Sequence, residues 1–248
     1  MIHPHTYIHP NAKLATNVKV DPFSVIHQNV EIGEGTWIGS NVTIMEGARI
    51  GKNCRIFPGA VIAAIPQDLK YEGEQTTVEI GDNTTIREFV TINRGSKDRW
   101  TTKVGKNCLI MAYSHLAHDC FIGDNCIISN NTQVAGHVTV GDWGILAGMC
   151  AIHQFVTIGQ HAFVSGGSLV SKDVPPYIKA GRNPLSYAGV NSVGLKRRGF
   201  TIEKINHILD IYRIIYNKGM NTSQALNYIE EELPATDERD DIVTFIRE

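Results

Sequence analysis

The chain has 248 residues, with 23 Lys and Arg against 25 Asp and Glu, which gives a formal net charge of −2 at pH 7. This balance excludes the strong basic field that favours nucleic acids or membrane surfaces as partners. The longest apolar runs are far shorter than the roughly 20 residues of a membrane-spanning helix. The first residues carry neither the basic nor the apolar segment of a signal peptide, so we expect a cytoplasmic protein with no membrane span.

A six-residue period begins close to the N-terminus. Branched aliphatic residues recur at every sixth position over residues 8–62, 80–92 and 104–170, and small or compact residues follow four positions later. A helix has a period of 3.6 residues and an ordinary strand a period of 2, so neither produces this spacing. The pattern predicts an all-β fold, a triangular parallel β-helix, in which three hexads form one 18-residue coil and stacked coils supply the core.

Two interruptions of the period, at residues 63–77 and 93–103, predict loops that leave the prism. The first loop carries Gln67, Asp68 and Lys70, whose donor and acceptor groups suit recognition of a sugar or a phosphate above a rigid wall. Tolerated surface insertion is the alternative explanation, since loops of this kind often have no function.

The period ends at Pro175, which predicts a β-helix domain over residues 1–175 and a small helical domain over residues 176–248. Thr201 is a suitable N-cap for the first amphipathic helix of this second domain. The predicted helices cover residues 202–217 and 222–232, with a third starting near Asp237.

The five cysteines all occupy the small-residue position of a hexad and are predicted to be compact buried fillers. They are Cys54, Cys108, Cys120, Cys126 and Cys150. Cys108 and Cys126 lie one coil apart, but a cytosolic compartment and parallel side chains on stacked strands argue against a disulfide. No zinc-site cysteine spacing is present in the sequence.

Histidines cluster on one side of the predicted prism. With 18 residues per coil, His118, His137 and His153 fall on three successive coils, within one residue of the same column. His115 stands just before the same corner, and Asp119 directly follows His118. These side chains should therefore share one face within roughly 10 Å.

Three explanations of the cluster remain open from position alone. His118 can act as a general base whose tautomer is fixed by Asp119 or by a backbone group. Alternatively, three histidines can bind zinc, as in the β-helical carbonic anhydrases. A scaffold without catalytic activity, whose polar face happens to contain histidines, is the third explanation.

Eight short stretches carry a resemblance to a known family. They are Gln67-Asp68-Leu69-Lys70-Tyr71, Ile86-Arg87-Glu88, His115-Leu116-Ala117-His118-Asp119-Cys120, Ala135-Gly136-His137-Val138, Ile152-His153-Gln154-Phe155, Asp173-Val174-Pro175-Pro176-Tyr177, Gly189-Val190-Asn191 and Gly194-Leu195-Lys196-Arg197-Arg198-Gly199-Phe200. Over essentially the whole chain, the sequence resembles the acyl-carrier-protein–UDP-N-acetylglucosamine O-acyltransferases, which carry out the first acylation of lipid A.

The resemblance implies a left-handed β-helix that assembles as a homotrimer with active sites between subunits. It implies transfer of a (3R)-3-hydroxyacyl chain from acyl carrier protein to the 3-hydroxyl of UDP-N-acetylglucosamine, with no metal or other cofactor. An N-acyltransferase of the same pathway is the alternative enzyme. It would carry an extra N-terminal domain, whereas the hexads of this chain begin at Ile8.

The same resemblance implies roles for individual residues. His118 is the general base, Asp119 its orienting partner and the Gly136 amide the oxyanion donor. Gly166 matches the position that measures acyl-chain length. The implied substrate-binding positions are Gln67, Asp68, Lys70, His115, His137, His153, Gln154, Asn191, Arg197 and Arg198, of which the last three hold the nucleotide end. The sequence departs from the family at Asn93, where many relatives have histidine, and at Val193, where some have glutamate.

Overall fold

A computed structural model describes residues 1–217 and 219–247 of the protein. In chain order the strands are β1 (Tyr7–Ile8), β2 (Lys13–Leu14), β3 (Lys19–Val20), β4 (Val25–Ile26), β5 (Glu31–Ile32), β6 (Trp37–Ile38), β7 (Thr43–Ile44), β8 (Ala48–Ile50), β9 (Arg55–Ile56), β10 (Val61–Ala64), β11 (Thr77–Ile80), β12 (Thr85–Ile86), β13 (Thr91–Asn93), β14 (Thr101–Val104), β15 (Leu109–Ile110), β16 (His115–Leu116), β17 (Phe121–Ile122), β18 (Ile127–Ile128), β19 (Gln133–Val134), β20 (Thr139–Val140), β21 (Ile145–Leu146), β22 (Ala151–Ile152), β23 (Thr157–Ile158), β24 (Phe163–Val164), β25 (Leu169–Val170), β26 (Ile178–Gly181) and β27 (Ser186–Val190).

Every third strand joins the same sheet, so the prism has three faces. The first sheet has the order β1-β4-β7-β10-β13-β16-β19-β22-β25, and the second has β2-β5-β8-β11-β14-β17-β20-β23. The third sheet has the order β27-β26-β24-β21-β18-β15-β12-β9-β6-β3. The predicted parallel β-helix is therefore confirmed, with one coil contributing one short strand to each face.

The aliphatic residue of each hexad fills the interior. In the first sheet Ile26, Ile44, Ile62, Ile92 and Leu116 are fully buried and stack in register along the prism axis. Burying one such side chain stabilises the fold by about 1.5–3 kcal/mol relative to leaving it exposed. Because each coil covers the next, the core is continuous although no hexad could bury its own aliphatic residue.

Many corners of the prism require a left-handed backbone conformation. Asparagine, which tolerates this conformation, is used at Asn17, Asn41 and Asn53, with φ between 53° and 58°. Asp119 and His137 adopt the same conformation, with φ of 60° and 65°, at corners between the first and second sheets. Non-glycine residues held in this region cluster at functional sites.

Two segments leave the prism, at residues 65–76 between β10 and β11 and at residues 94–100 between β13 and β14. The predicted loops, 63–77 and 93–103, reach further into the flanking strands. The reason is that β10 pairs with β13 up to its last residue, and β14 pairs with β11 from its first residue onward.

The third sheet continues past the domain boundary predicted at residue 175. Phe163 and Val164 of β24 pair in parallel with Lys179 and Ala180 of β26, and β27 returns antiparallel to β26. The last coil thus ends in a hairpin, and the helical part of the chain begins after residue 190.

Four helices follow this hairpin within the described residues: α1 (Ser192–Arg197), α2 (Ile202–Asn217), α3 (Thr222–Glu232) and α4 (Asp237–Arg247). The last three confirm the predicted helices, whereas α1 was not predicted. Two contacts join these helices to the β-helix. Tyr212 of α2 is fully buried and its hydroxyl donates to the Pro176 carbonyl at 2.6 Å, and Asp241 of α4 accepts from Gln160 and Tyr177, both at 2.5 Å.

In the described part of the chain, no helix is both long and apolar enough to cross a membrane.

The cysteines are all free and buried, as predicted for compact fillers. Cys120 is the clearest case, because burial raises the pKa of its thiol to about 12. The thiol therefore stays protonated and unreactive at neutral pH.

Candidate active site

Asp119 is a buried carboxylate at the corner between β16 and β17, with no exposed surface. It accepts hydrogen bonds from the Ser96 amide at 3.0 and 3.1 Å, from the Ser96 hydroxyl at 2.7 Å and from the Arg99 amide at 3.1 Å. Burial alone would raise the pKa of Asp119, but the hydrogen bonds from Ser96, His118 and the Arg99 amide outweigh it and lower the pKa. Asp119 is therefore ionised at neutral pH.

His118 is oriented by this carboxylate. Its Nδ1 lies 2.8 Å from Asp119 Oδ2, and because a charged carboxylate can only accept, Nδ1 must carry the proton. In the neutral ring the lone pair is then on Nε2, which lies 4.0 Å from Asp68 Oδ2. This is the tautomer that a general base needs.

Gly136 lies one coil after His118, and its lack of a side chain leaves room for the His118 ring. A Cβ atom at Gly136 would lie 2.8 Å from His118 Nε2 and 2.9 Å from its Cε1. Among the described residues, the Gly136 amide donates to no acceptor. A free N–H beside the basic nitrogen can donate to an oxyanion formed there.

His137 stands edge-on to His118, with ring centroids 5.1 Å apart, and stacks on Phe155 at 4.6 Å. Its Nδ1 lies 3.4 Å from Asp98 Oδ2. Burial lowers the pKa of His137 and outweighs the opposing effect of Asp119. The ring is therefore neutral at neutral pH and can donate or accept one hydrogen bond.

His115 and His153 differ in their surroundings. His115 Nδ1 lies 2.7 Å from the Thr91 hydroxyl, and burial lowers the pKa of His115. His153 is exposed, with Nδ1 3.1 Å from the backbone oxygen of Gln154. Of the four predicted histidines only His153 is exposed, and it lines the same groove as His115 and His118.

Two cavities meet at His118. An apolar groove of about 640 Å³ runs along the first sheet from Asn93 to Ser171. A second, polar cavity of about 530 Å³ lies beneath the 65–76 and 94–100 segments. His118 lines both cavities, and so do Gln67 and Gln154. The lone pair of His118 therefore faces a place where an apolar chain and a polar molecule can come together.

The predicted contacts of the first loop also lie here. Asp68 and Lys70 line the polar cavity, and the Lys70 amide donates to Asp68 Oδ1 at 2.9 Å. Asn93, the departure from the family pattern, lines the groove and is almost fully buried. Its amide nitrogen donates to the Ile65 carbonyl at 3.0 Å, while its Oδ1 has no partner among the described residues.

Within one chain, the residues implied for the nucleotide end lie away from His118. Asn191 caps α1 and donates to the His161 carbonyl at 2.9 Å. Arg198 lies 3.1 Å from His161 Nδ1 and 5.2 Å from the Trp143 ring centroid. Trp143 and His161 belong to corners between the second and third sheets, whereas His118 lies between the first and second. Arg197 and Val193 are exposed.

Gly166 lies at the corner between the third and first sheets, and is not among the residues that line the groove. A Cβ atom there would lie 3.0 Å from the Gly148 carbonyl oxygen. A single chain therefore does not bring Gly166 to the histidine column.

The candidate ligands for a metal ion are His118, Asp119 and His137, whose possible ligand atoms lie within 4.8 Å of one another. Both Asp119 oxygens already accept hydrogen bonds, and His118 Nδ1 donates one of them. His153, the third histidine of the zinc hypothesis, directs Nδ1 to a backbone oxygen instead. His118 Nδ1 and the Asp119 carboxylate are thus engaged in hydrogen bonds with each other and with the 94–100 segment.

Ser96 and Arg99 are the residues that sequence reasoning missed. They lie in the 94–100 segment, where the period fails, and Ser96 meets Asp119 across 23 residues of chain. The only sequence signal was the interruption itself.

Family models match both parts of the chain. Residues 173–248 match the model described as Udp N-acetylglucosamine O-acyltransferase, domain 2, and residues 29–64 and 101–136 match the bacterial transferase hexapeptide (six repeats). The acyl-[acyl-carrier-protein]–UDP-N-acetylglucosamine O-acyltransferase of Sulfurihydrogenibium sp. (strain YO3AOP1) is 57% identical over 247 residues, covering 99% of this chain and 91% of the relative. The corresponding protein of Chlorobaculum parvum is 54% identical over 245 residues, covering 98% and 93%.

Solved structures agree with these relatives. The UDP-N-acetylglucosamine acyltransferase from Bacteroides fragilis 9343 is similar with a TM-score of 0.98 and 51% identity, covering 100% of this chain and 97% of the other. The enzyme from Francisella novicida is similar with a TM-score of 0.96 and 41% identity, covering 100% and 91%. The prism is accordingly a left-handed parallel β-helix. The chain belongs to the acyl-[acyl-carrier-protein]–UDP-N-acetylglucosamine O-acyltransferase family.

Proposed function

We propose that this protein transfers a (3R)-3-hydroxyacyl chain from acyl carrier protein to the 3-hydroxyl of UDP-N-acetylglucosamine, the first step of lipid A biosynthesis. One observation carries the proposal: His118, whose Nδ1 is hydrogen-bonded to Asp119, lines both an apolar groove and a polar cavity. Alanines at positions 117, 135 and 151 line the groove and leave space for an acyl chain. The relatives, which are acyl-[acyl-carrier-protein]–UDP-N-acetylglucosamine O-acyltransferases, indicate the donor and the acceptor.

The proposed reaction proceeds by general base catalysis. His118 Nε2 takes the proton of the sugar 3-hydroxyl as its oxygen attacks the thioester carbonyl carbon, and Asp119 stabilises the imidazolium that forms. The Gly136 amide donates to the oxyanion of the tetrahedral intermediate. The C–S bond then breaks, and the imidazolium returns its proton to the departing sulfur, which leaves as the thiol of the carrier arm.

We further propose a homotrimer in which a neighbouring copy completes the site. Asn191, Arg197 and Arg198 would then reach the nucleotide from another chain, since Asn191 and Arg198 contact His161, at a different corner from His118. Two arginines suit a diphosphate, because guanidinium groups bind phosphate oxygens in pairs. Sedimentation of the purified protein should give three times the chain mass. The cytoplasmic location expected from the sequence stays a prediction, which cell fractionation would test.

The direct test mixes purified protein, UDP-N-acetylglucosamine and a hydroxyacyl carrier protein. We expect a 3-O-acylated nucleotide sugar, identified by mass and by the position of the ester. Acylation of an amine in place of the hydroxyl would identify the N-acyltransferase instead. Activity that is lost with a chelator and regained with zinc would contradict the metal-free mechanism.

Replacing Arg197 by alanine is expected to weaken substrate binding and to leave the chemical step nearly intact. Arg197 is exposed on α1, away from His118. Loss of a charge-assisted hydrogen bond to phosphate costs about 1.5–3 kcal/mol, or roughly 10- to 100-fold in KM for the nucleotide sugar or the carrier protein. Arg213→Ala, which removes an exposed arginine paired with Asp210, is the matched control. A lower kcat with both KM values unchanged would contradict the assignment.

In the proposed trimer, where a neighbouring copy completes the site, Gly166→Met is expected to shift the enzyme towards shorter acyl chains by several carbons. Residues 118 and 166 are separated by roughly 13 Å along the prism axis, which corresponds to about ten carbons of an extended chain. Glycine offers no side chain to stop the chain, so natural chains of about twelve carbons or more should fit. Carriers of graded chain length provide the measurement.

Leu169→Ala is the informative companion, because Leu169 lines the far part of the groove. If Leu169→Ala lengthens the preferred chain while Gly166→Met changes nothing, the groove is closed by Leu169 and the assignment of Gly166 is wrong. A natural preference for ten carbons or fewer would also contradict it.

A further inference from the structure

The 94–100 segment closes over the carboxylate that orients the catalytic histidine. The Ser96 amide bridges both oxygens of Asp119, and the Arg99 amide donates to Oδ1. The Ser96 hydroxyl donates to Oδ2 at 2.7 Å, and His118 Nδ1 donates to the same oxygen at 2.8 Å. One carboxylate oxygen is therefore shared between a serine hydroxyl and the imidazole.

The same segment holds the backbone at Asp119. Arg99 Nη1 donates to the Asp119 carbonyl at 3.0 Å and to the Thr139 hydroxyl at 3.3 Å, and its guanidinium lies 4.7 Å from the Phe121 ring centroid. The Asp119 amide donates to the Thr102 hydroxyl at 2.8 Å. With its main chain fixed from two sides, Asp119 cannot move to compensate for a lost hydrogen bond.

We propose that Ser96 is a positioning residue that sets the orientation and the proton affinity of His118 by sharing Asp119 Oδ2. The inference rests on the proposed function, in which neutral His118 is the general base. Each hydrogen bond to a carboxylate disperses part of its charge. Without the Ser96 hydroxyl, Oδ2 keeps only the 3.1 Å hydrogen bond from the Ser96 amide beside its bond to His118. It then stabilises the imidazolium more strongly, because Asp119 is buried away from water.

The expected consequence is a displaced pH profile. If imidazolium is favoured, the base form of His118 is present only at higher pH, so the acidic limb of kcat/KM moves upward. The charged and titratable groups around His118 lie on its own corner, on neighbouring coils and on both outer segments. They are Asp119, His115, His137 and His153 on the prism, Asp68, Lys70 and Glu74 on the 65–76 segment, and Lys97, Asp98 and Arg99 on the 94–100 segment. Replacing Ser96 alters hydrogen bonding and leaves all these charges in place.

The test compares Ser96→Ala with Ser96→Thr in the full-length enzyme. For Ser96→Ala we expect the acidic midpoint of kcat/KM to rise by about half to one pH unit, with KM within about twofold of the wild-type value. At a pH below the wild-type midpoint this corresponds to a loss of about 3- to 10-fold. Ser96→Thr keeps the hydroxyl and should restore the wild-type profile.

Ser24→Ala is the matched control. Ser24 is also buried, and its hydroxyl donates to the Gly39 carbonyl at 2.6 Å and accepts from the Val42 amide at 3.2 Å, far from His118 in the chain. Its replacement should lower the thermal midpoint without moving the pH profile. Ser96→Cys, which keeps the size but donates weakly, replaces Ser96→Ala if the alanine variant does not fold.

Proton NMR tests the role of Ser96 independently of the proposed function. The proton on His118 Nδ1 should change its chemical shift in Ser96→Ala and keep it in Ser24→Ala, whether or not acyl transfer is measured. An unchanged acidic midpoint in an active Ser96→Ala enzyme, or an unchanged shift of this proton, would overturn the role of Ser96. If the wild-type protein makes no ester product, the proposed function fails and the NMR comparison alone decides the role of Ser96.

Discussion

His118→Ala should remove most of the turnover and leave a folded protein. Loss of a general base costs on the order of 10²–10⁴ in rate. His118 has a side chain that is only 14% exposed, but it lines two cavities and does not belong to the aliphatic core. Its removal should therefore lower kcat much more than it changes the thermal midpoint.

His27→Ala serves as the control for this prediction, since His27 follows β4 near the opposite end of the prism. The kcat of both variants is measured at saturating concentrations of both substrates, beside circular dichroism spectra and thermal midpoints. A His118→Ala enzyme with a nearly normal rate would show that another group takes the proton. Two alternatives lie close by: Asp68, with Oδ2 4.0 Å from His118 Nε2, and His137, with its ring centroid 5.1 Å from that of His118.

The prism could be predicted from sequence because the six-residue pattern that forms it is local and repeated. Each hexad places one aliphatic residue inwards whatever its neighbours do, so the period alone gives the three faces. The β26–β27 hairpin and α1 follow no period. The hairpin forms because Phe163 and Val164 leave an edge that needs a partner, and α1 begins because Asn191 caps it. Such features depend on contacts that no periodicity encodes.

The candidate site also has residues that the six-residue period predicts and residues that it does not. The histidine column follows from counting 18 residues per coil, which works where the period is uninterrupted. Gly166 lies 48 residues after His118, which is two coils and two further hexads. The count therefore places Gly166 two corners further round the prism, a displacement that the axial distance alone leaves out. Ser96 reaches Asp119 from a segment outside the period. That contact is visible only in the three-dimensional structure. It explains why Asp119 remains charged while buried, because the hydrogen bonds from Ser96 lower its pKa.

Gly136→Ala is expected to lower kcat by about 10²-fold or more while changing stability little. A Cβ atom at Gly136 would lie 2.8 Å from His118 Nε2, closer than real Cβ contacts allow. The ring cannot tilt away freely, because Nδ1 is held at 2.8 Å by Asp119. A displacement of about 1 Å can cost 10²-fold in rate, and loss of an oxyanion donor costs 10²–10³-fold. Gly148→Ala is the control, since its Cβ would meet only the Asn130 carbonyl oxygen at 3.3 Å.

The double variant His118→Ala/Gly136→Ala separates the two causes. If alanine at position 136 acts by displacing the imidazole, it should cost little more once the ring is absent, and the two effects will be far from additive. If it acts on the amide that faces the oxyanion, its cost should persist in the His118→Ala background. A Gly136→Ala enzyme with a normal rate would contradict both, and with them the position of the reacting carbonyl beside the His118 nitrogen.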